Sequence, residues 1–169
     1  MNTKHMIGIA NKLNLLDQRI TQWLMQNAIT LLRVSLGFIF LWFGVLKLIP
    51  GLSAAEDLAE RTINLLTFGL IPDDVSRVAL ALWECVIGLG FVVGRFTRAT
   101  LFLLLLQMAG TITPLLLFPA ETFTRYPYAP TLEGQYIIKN VVLVSAGLVI
   151  GATVRGGRII SPQYRHISN

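Results

Sequence analysis

Four apolar stretches, each close to twenty residues long, leave this chain few ways to fold. They run over 28–49, 75–94, 98–118 and 136–154. A helix needs about 20 predominantly apolar residues to cross the hydrocarbon core of a bilayer. Each stretch is punctuated. Pro50-Gly51 stops the first, and Pro72-Asp73 opens the second, with Asp73 or Asp74 as the expected N-cap. Pro119 follows the third, and Arg155-Gly156-Gly157 follows the fourth. The runs are continuous rather than alternating, which excludes the ten-residue strand pattern of a membrane barrel. The expected fold class is therefore all-α: a polytopic membrane protein with a bundle of four transmembrane helices over 28–154.

Composition agrees. Hydrophobic residues make up 54% of the chain and charged residues only 14%, against about 25% charged in soluble domains. The net charge of +5 comes from residues flanking the apolar runs, not from a basic soluble face. No nucleic-acid partner is expected. Cys85 is the single cysteine, so no internal disulfide or CxxC pair exists. His5 and His166 lie near opposite termini, outside every apolar run. Haem ligation by two histidines within the bilayer is thereby excluded, no metal site is expected, and no cofactor intrinsic to the chain is apparent. No signal peptide is expected, because no small-residue cleavage site follows the first strongly apolar run.

The flanking segments have their own patterns. Over 1–27, Ile9, Leu13, Leu16, Ile20 and Leu24 recur at helical spacing with Lys12, Asp17 and Arg19 between them. This reads as an amphipathic helix lying on the membrane surface, with a soluble helix packed on a partner as the alternative. In the first loop, Ser53 and Glu56 form a capping-box pattern ahead of Leu58, Ala59, Ile63 and Leu66, predicting a short helix. The third loop is rich in Pro and aromatics; Phe123, Tyr126 and Tyr128 suit the headgroup level. Residues 155–169 form a basic tail.

Basic residues set the expected orientation. Lys4, Lys12, Arg19, Arg33, Arg95, Arg98, Arg155, Arg158 and Arg165 fall on one side, and Lys47, Arg61, Arg77, Arg125 and Lys139 on the other. The positive-inside rule places the first group, with both termini and the tight Gly94–Arg98 turn, in the cytoplasm. The expected location is a bacterial-type cytoplasmic (inner) membrane, with membrane lipids as partners.

Glu84 carries the most information. It lies near the middle of the second span, more than about 10 Å from either edge at 1.5 Å per residue. A charge there costs roughly 2.5–3.5 kcal/mol on insertion scales. Either the carboxyl is protonated, or it faces the bundle interior and meets a cation. Arg33, Lys47 and Lys139 are the candidates. Lys139 is preferred because Asn140 beside it adds a polar group, and Arg33 is kept as a structural ion-pair candidate. The same site reads either as an ion pair that fixes packing or as a proton-handling or headgroup-binding centre. Gln107, Thr111 and Thr113 make the third span polar, and Pro114 frees a carbonyl near Gly110. Interhelical hydrogen bonding and a kink explain these residues; so does a pocket lined by Trp42, Trp83, Gln107 and Thr111. Gly37 and Gly44, Gly88 and Gly90, and Gly147 and Gly151 suit close helix approach, and Gly147-x-x-x-Gly151 could also support a homodimer. Cys85 is expected to pack as a small apolar residue.

Three stretches resemble one family. Arg33-Val-Ser-Leu-Gly-Phe-Ile-Phe-Leu-Trp-Phe-Gly-Val-Leu-Lys47 is similar to the first span of the DoxX family. Glu84-Cys-Val-Ile-Gly-Leu-Gly with Gly94-Arg-Phe-Thr-Arg98 is similar to its second span and basic turn, and Gly134-Gln-Tyr-Ile-Ile-Lys139-Asn140 to its fourth span. The resemblance implies a four-helix membrane bundle, with Arg33, Lys47, Glu84, Lys139 and Asn140 as the positions to watch. Three functions are open on the resemblance and the residues together. The first is a membrane subunit of a quinone-linked oxidoreductase acting on a donor at the outer side, with a second subunit as partner. In that reading Glu84 handles protons, and Lys47 or Lys139 holds an anionic donor or a quinone oxygen. The alternatives are a non-catalytic accessory subunit of a larger complex and a small-molecule or lipid binder. Whether the chain is an enzyme stays open at this stage.

Overall fold

A computed structural model describes residues 3–53 and 55–157, with side chains from residue 11 onward. Most of the basic tail lies outside the described residues. Eight elements follow in order: α1 (Thr3–Lys47), α2 (Glu56–Leu66), α3 (Asp73–Val93), α4 (Thr97–Leu117), α5 (Pro119–Thr122), β1 (Phe123–Arg125), β2 (Ala129–Pro130) and α6 (Leu132–Thr153). Among the described residues, four helices are long and apolar enough to cross a membrane: the Asn11–Lys47 part of α1, α3, α4 and α6. They close a ring, with α1 against α3 and α6, and α4 against α3 and α6.

The ring buries Leu36, Phe40, Ile87, Phe91, Leu104, Met108 and Ile150 at its centre. Its outer surface is just as apolar. Phe102 is 66% exposed and Val142 68%. Water would penalise such a belt, whereas acyl chains solvate it. The bundle is thus a multi-pass membrane protein.

Small residues set the closest helix approach. A Cβ on Gly37 would lie 2.8 Å from the Gly88 carbonyl, and one on Gly44 would lie 2.9 Å from the Cys85 sulfur. Glycine here lets α1 and α3 touch along their backbones, and Cys85 packs as an apolar residue in that seam. Gly147 and Gly151 meet Leu104 and Leu101 of α4. That seam is internal to the chain.

Several boundaries correct the sequence reading. The amphipathic segment is continuous with the first span, with no boundary near residue 27: α1 runs unbroken from Thr3 to Lys47. The physical reason is plain, since no Gly or Pro occurs between Ile9 and Leu36 to end the helix. At about 1.5 Å per residue, 45 residues reach roughly 68 Å, twice the hydrocarbon thickness. The N-cap of α3 is Pro72 rather than Asp73 or Asp74. Ser53 does not form a capping box, because α2 starts at Glu56 behind Ala55 at φ 57°. Glu56 instead accepts from the Gly51 amide at 3.1 Å. The third loop folds into α5 and a two-stranded antiparallel hairpin, an element the aromatic-rich composition did not predict. α6 begins at Leu132, with the Thr131 side chain accepting from the Gly134 amide.

Candidate functional site

One end of the bundle carries α2, α5 and the hairpin; the other carries the Gly94–Arg98 turn. We call them the loop face and the basic face. Glu84 sits midway between them, 8% exposed. Its Oε2 accepts from Lys47 Nζ at 2.7 Å, and its Oε1 accepts from Gln107 Nε2 at 2.8 Å. Both carboxylate oxygens are therefore engaged, and three helices meet through one side chain. A buried ion pair survives desolvation only when its remaining lone pairs are also satisfied, and Gln107 supplies that.

Lys139 is not the partner of Glu84, contrary to the preference drawn from sequence. Helix direction explains why. Side chains lean toward the N-terminus of their own helix. α1 ends at the loop face, so Lys47, its last residue, leans back into the bundle. α3 starts at the loop face, so Glu84 leans outward to meet it. α6 also starts there, and Lys139 leans away from Glu84, with Nζ 5.7 Å from the centroid of the Tyr136 ring. Arg33, on α1, leans to the basic face. Its Nη1 donates to the Phe91 and Val92 carbonyls at 2.5 and 3.1 Å, capping the end of α3 rather than pairing with Glu84.

A cavity of about 610 Å³ opens beside the Glu84 cluster. Its polar wall is Lys47, Glu84, Gln107, Thr111, Lys139 and Asn140, which the structure brings to one space. Phe40, Phe43, Trp83 and Tyr136 contribute the apolar wall. Trp83 Nε1 also donates to the Leu103 carbonyl at 3.4 Å, linking α3 to α4. Trp42 is elsewhere: it is 57% exposed and stacks on Phe38 with ring centroids 5.7 Å apart, so its expected place in the pocket is corrected. Gln107, 8% exposed, keeps its Oε1 buried without a hydrogen-bond partner. The amide turns its NH₂ toward the accepting Glu84 Oε1, which directs its own oxygen away from that pair. Next to it, Pro114 frees the Gly110 carbonyl, and the Thr113 hydroxyl takes it up at 2.6 Å.

Residues not expected at the site from sequence close the cavity at the loop face. Leu58, Thr62 and Ile63 of α2 roof it. Arg77, one turn into α3, binds that roof down: its Nε lies 3.6 Å from Glu56 and 3.5 Å from Glu60. Its Nη2 pairs with Asp74 at 2.8 Å, and its Nη1 donates to the last carbonyl of α1, Lys47, at 3.4 Å. Burial and the neighbouring Glu56 carboxylate push the Glu60 carboxyl above its ordinary value, more than Arg77 pulls it down. A second clamp joins Arg61 of α2 to Glu121 of α5 through paired hydrogen bonds, and holds the Glu121 carboxyl below its ordinary value. Arg61 also lies over the Phe118 ring at 5.4 Å. The acidic run Glu56, Asp57, Glu60 facing a lone arginine just inside a span was the available signal.

The DoxX family model matches residues 28–118, more than half of the chain. The protein belongs to the DoxX family. The matched region of this DoxX protein holds Arg33, Lys47, Glu84 and Gln107, the roof helix α2 and the basic turn. It stops before α6, so Lys139 and Asn140 lie outside it. No curated protein and no solved structure matches the chain. Among the described residues, no group of three His, Cys, Asp or Glu side chains could hold a metal ion.

Proposed function

We propose that this DoxX protein is the membrane subunit of a quinone-linked oxidoreductase, and that its roofed cavity takes the ring of a membrane quinone. One observation carries the reading: a cavity reaching from the loop-face roof to mid-span Glu84, with aromatic walls, a satisfied ion pair, and a buried amide oxygen lacking a donor. A ring with oxygens at opposite ends suits that wall. Lys139 and Asn140 supply donors for a carbonyl oxygen, and Gln107 Oε1 supplies an acceptor for the hydroxyl of the reduced form. The ring's tail would leave between helices into lipid.

In this reading the basic face lies in the cytoplasm of a bacterial-type cell, by the positive-inside rule, and the loop face looks outward. A donor at the loop face gives up two electrons, and the quinone takes them with two protons to become the quinol. The described residues bring no redox centre, so electrons come from the donor itself or from a partner subunit. Glu84, held between Lys47 and Gln107, is the proton-handling group at the site.

Purified protein tests this by titration with a short-chain quinone, read as quenching of Trp83. Saturable binding is expected, and Gln107→Leu should weaken the quinol about tenfold, as for loss of one hydrogen bond to a buried site. Absence of saturable binding to both redox forms would overturn the reading.

A second reading has its own support. The basic-face half of α1 projects beyond the ring, and Leu13, Leu16, Ile20 and Trp23 on it are all exposed. An accessory subunit would use that projection to dock a partner in a larger complex, and would then co-purify with it in fixed ratio.

A further inference from the structure

A second cavity, of about 550 Å³, lies at the opposite end of the bundle from the quinone site proposed above. Three arginines line it: Arg33 from α1, and Arg95 and Arg98 from the turn between α3 and α4. No Asp or Glu lines it, and among the described residues no carboxylate forms an ion pair with any of the three. Arg33 is half-buried and, among the described residues, uses only Nη1, on the Phe91 and Val92 carbonyls. Its Nη2 and Nε hydrogens stay available on a guanidinium already fixed in place. Gly94, at φ 72°, is packed against that guanidinium, where any Cβ would collide with it. The glycine therefore both ends α3 and makes room for the arginine.

The first residues of α4, Thr97, Arg98 and Ala99, line the same space. α4 is 21 residues long, and its N-cap position is Phe96, which makes no side-chain capping bond. The remaining wall is apolar, with Ile29, Ile150 and Val154. Arg95 and Arg98 are exposed and Arg33 is half-buried, and a tetrahedral oxyanion in the hollow they line can accept from more than one guanidinium at once. The apolar side of the hollow would accommodate the acyl portion of a lipid.

We propose that this hollow is a binding site for a phosphate monoanion or diester, supplied by the headgroup of an anionic phospholipid. The site is independent of quinone binding. If the basic face is cytoplasmic, it lies at the leaflet surface where anionic lipids carry negative potential.

Native mass spectrometry of the intact protein tests it, with phosphatidylglycerol, phosphatidylcholine or inorganic phosphate added to delipidated samples. Phosphatidylglycerol adducts should exceed phosphatidylcholine adducts. Arg98→Gln, which leaves Arg95 and the other basic residues of this face to hold the insertion orientation, should lower the phosphatidylglycerol occupancy constant about tenfold, as for loss of one hydrogen bond to a charged group. Arg33→Lys, which keeps the charge and removes the fork, should lower it as well. Inorganic phosphate competing with the lipid in millimolar amounts would support the anion site and assign it a soluble source too. Equal retention of both lipids by the unaltered protein, or unchanged phosphatidylglycerol preference in both variants, would overturn the proposal.

Discussion

Lys47 and Glu84 meet at 2.7 Å although they start from different depths. Gly44 packs against the Ala81 carbonyl and the Cys85 amide, so Lys47, one turn farther along α1, sits roughly 5 Å nearer the loop face than Glu84. Antiparallel helices close that gap, because each side chain leans toward its own N-terminus. Lys47→Ala should leave an uncompensated buried carboxylate and destabilise the bundle by about 3–5 kcal/mol. Replacing both residues, as Lys47→Met with Glu84→Gln, should restore most of the loss. Thermal unfolding in one detergent, arranged as a double-mutant cycle, measures both.

The α1–α3 seam gives a second expectation. A Cβ on Gly88 would lie 2.6 Å from Leu41 Cγ and 2.8 Å from the Gly37 carbonyl. Gly88→Ala should therefore force the helices apart and destabilise by about 1–3 kcal/mol. Gly110 has open space around its Cβ position, so Gly110→Ala should leave stability unchanged or slightly raised. The same unfolding measurement separates the two.

The roof of the cavity should loosen in acid. Hydrogen bonding from Arg61 lowers the Glu121 carboxyl below 4.5. Its contribution is fully present above that value and is lost as pH falls through the depressed folded value. Glu60 runs the other way: its folded value is raised, chiefly by burial. Its charge therefore opposes folding at neutral pH, and that penalty is relieved as pH falls through the raised value. Hydrogen exchange of α2 against pH should show faster exchange well below pH 4.5 in the unaltered protein. Glu121→Gln should exchange faster already at neutral pH and lose the acid-side step.

How much of this could be read from sequence differs between layers. The four spans were legible because hydrocarbon demands long apolar helices and nothing else in the chain resembles them. Glu84 was legible for the same reason, as a carboxyl out of place. Its partner was not, since the choice between Lys47 and Lys139 turns on helix direction and neighbour order. Arg77 went unassigned because its acids lie in a separate loop helix. The unbroken α1 was missed by treating a change in composition as a change in structure, although no breaker residue stands there.

Tryptophan substitutions divide the cavity from its surroundings. Trp83→Phe should alter quinone affinity, since Trp83 lines the cavity. Trp42→Phe should not, because Trp42 lies on the outer surface against Phe38. Equilibrium titrations of both variants, read on the remaining tryptophans or by radiolabelled quinone, compare them.

Photolabelling with an azido-quinone in native membranes tests the central claim most directly. Adducts should fall on cavity residues, Trp83 of α3 and Gln107 and Thr111 of α4, and should disappear with excess unlabelled quinol. Labelling spread over lipid-facing positions such as Phe102 and Val142, and unaffected by competitor, would contradict a quinone site in the bundle.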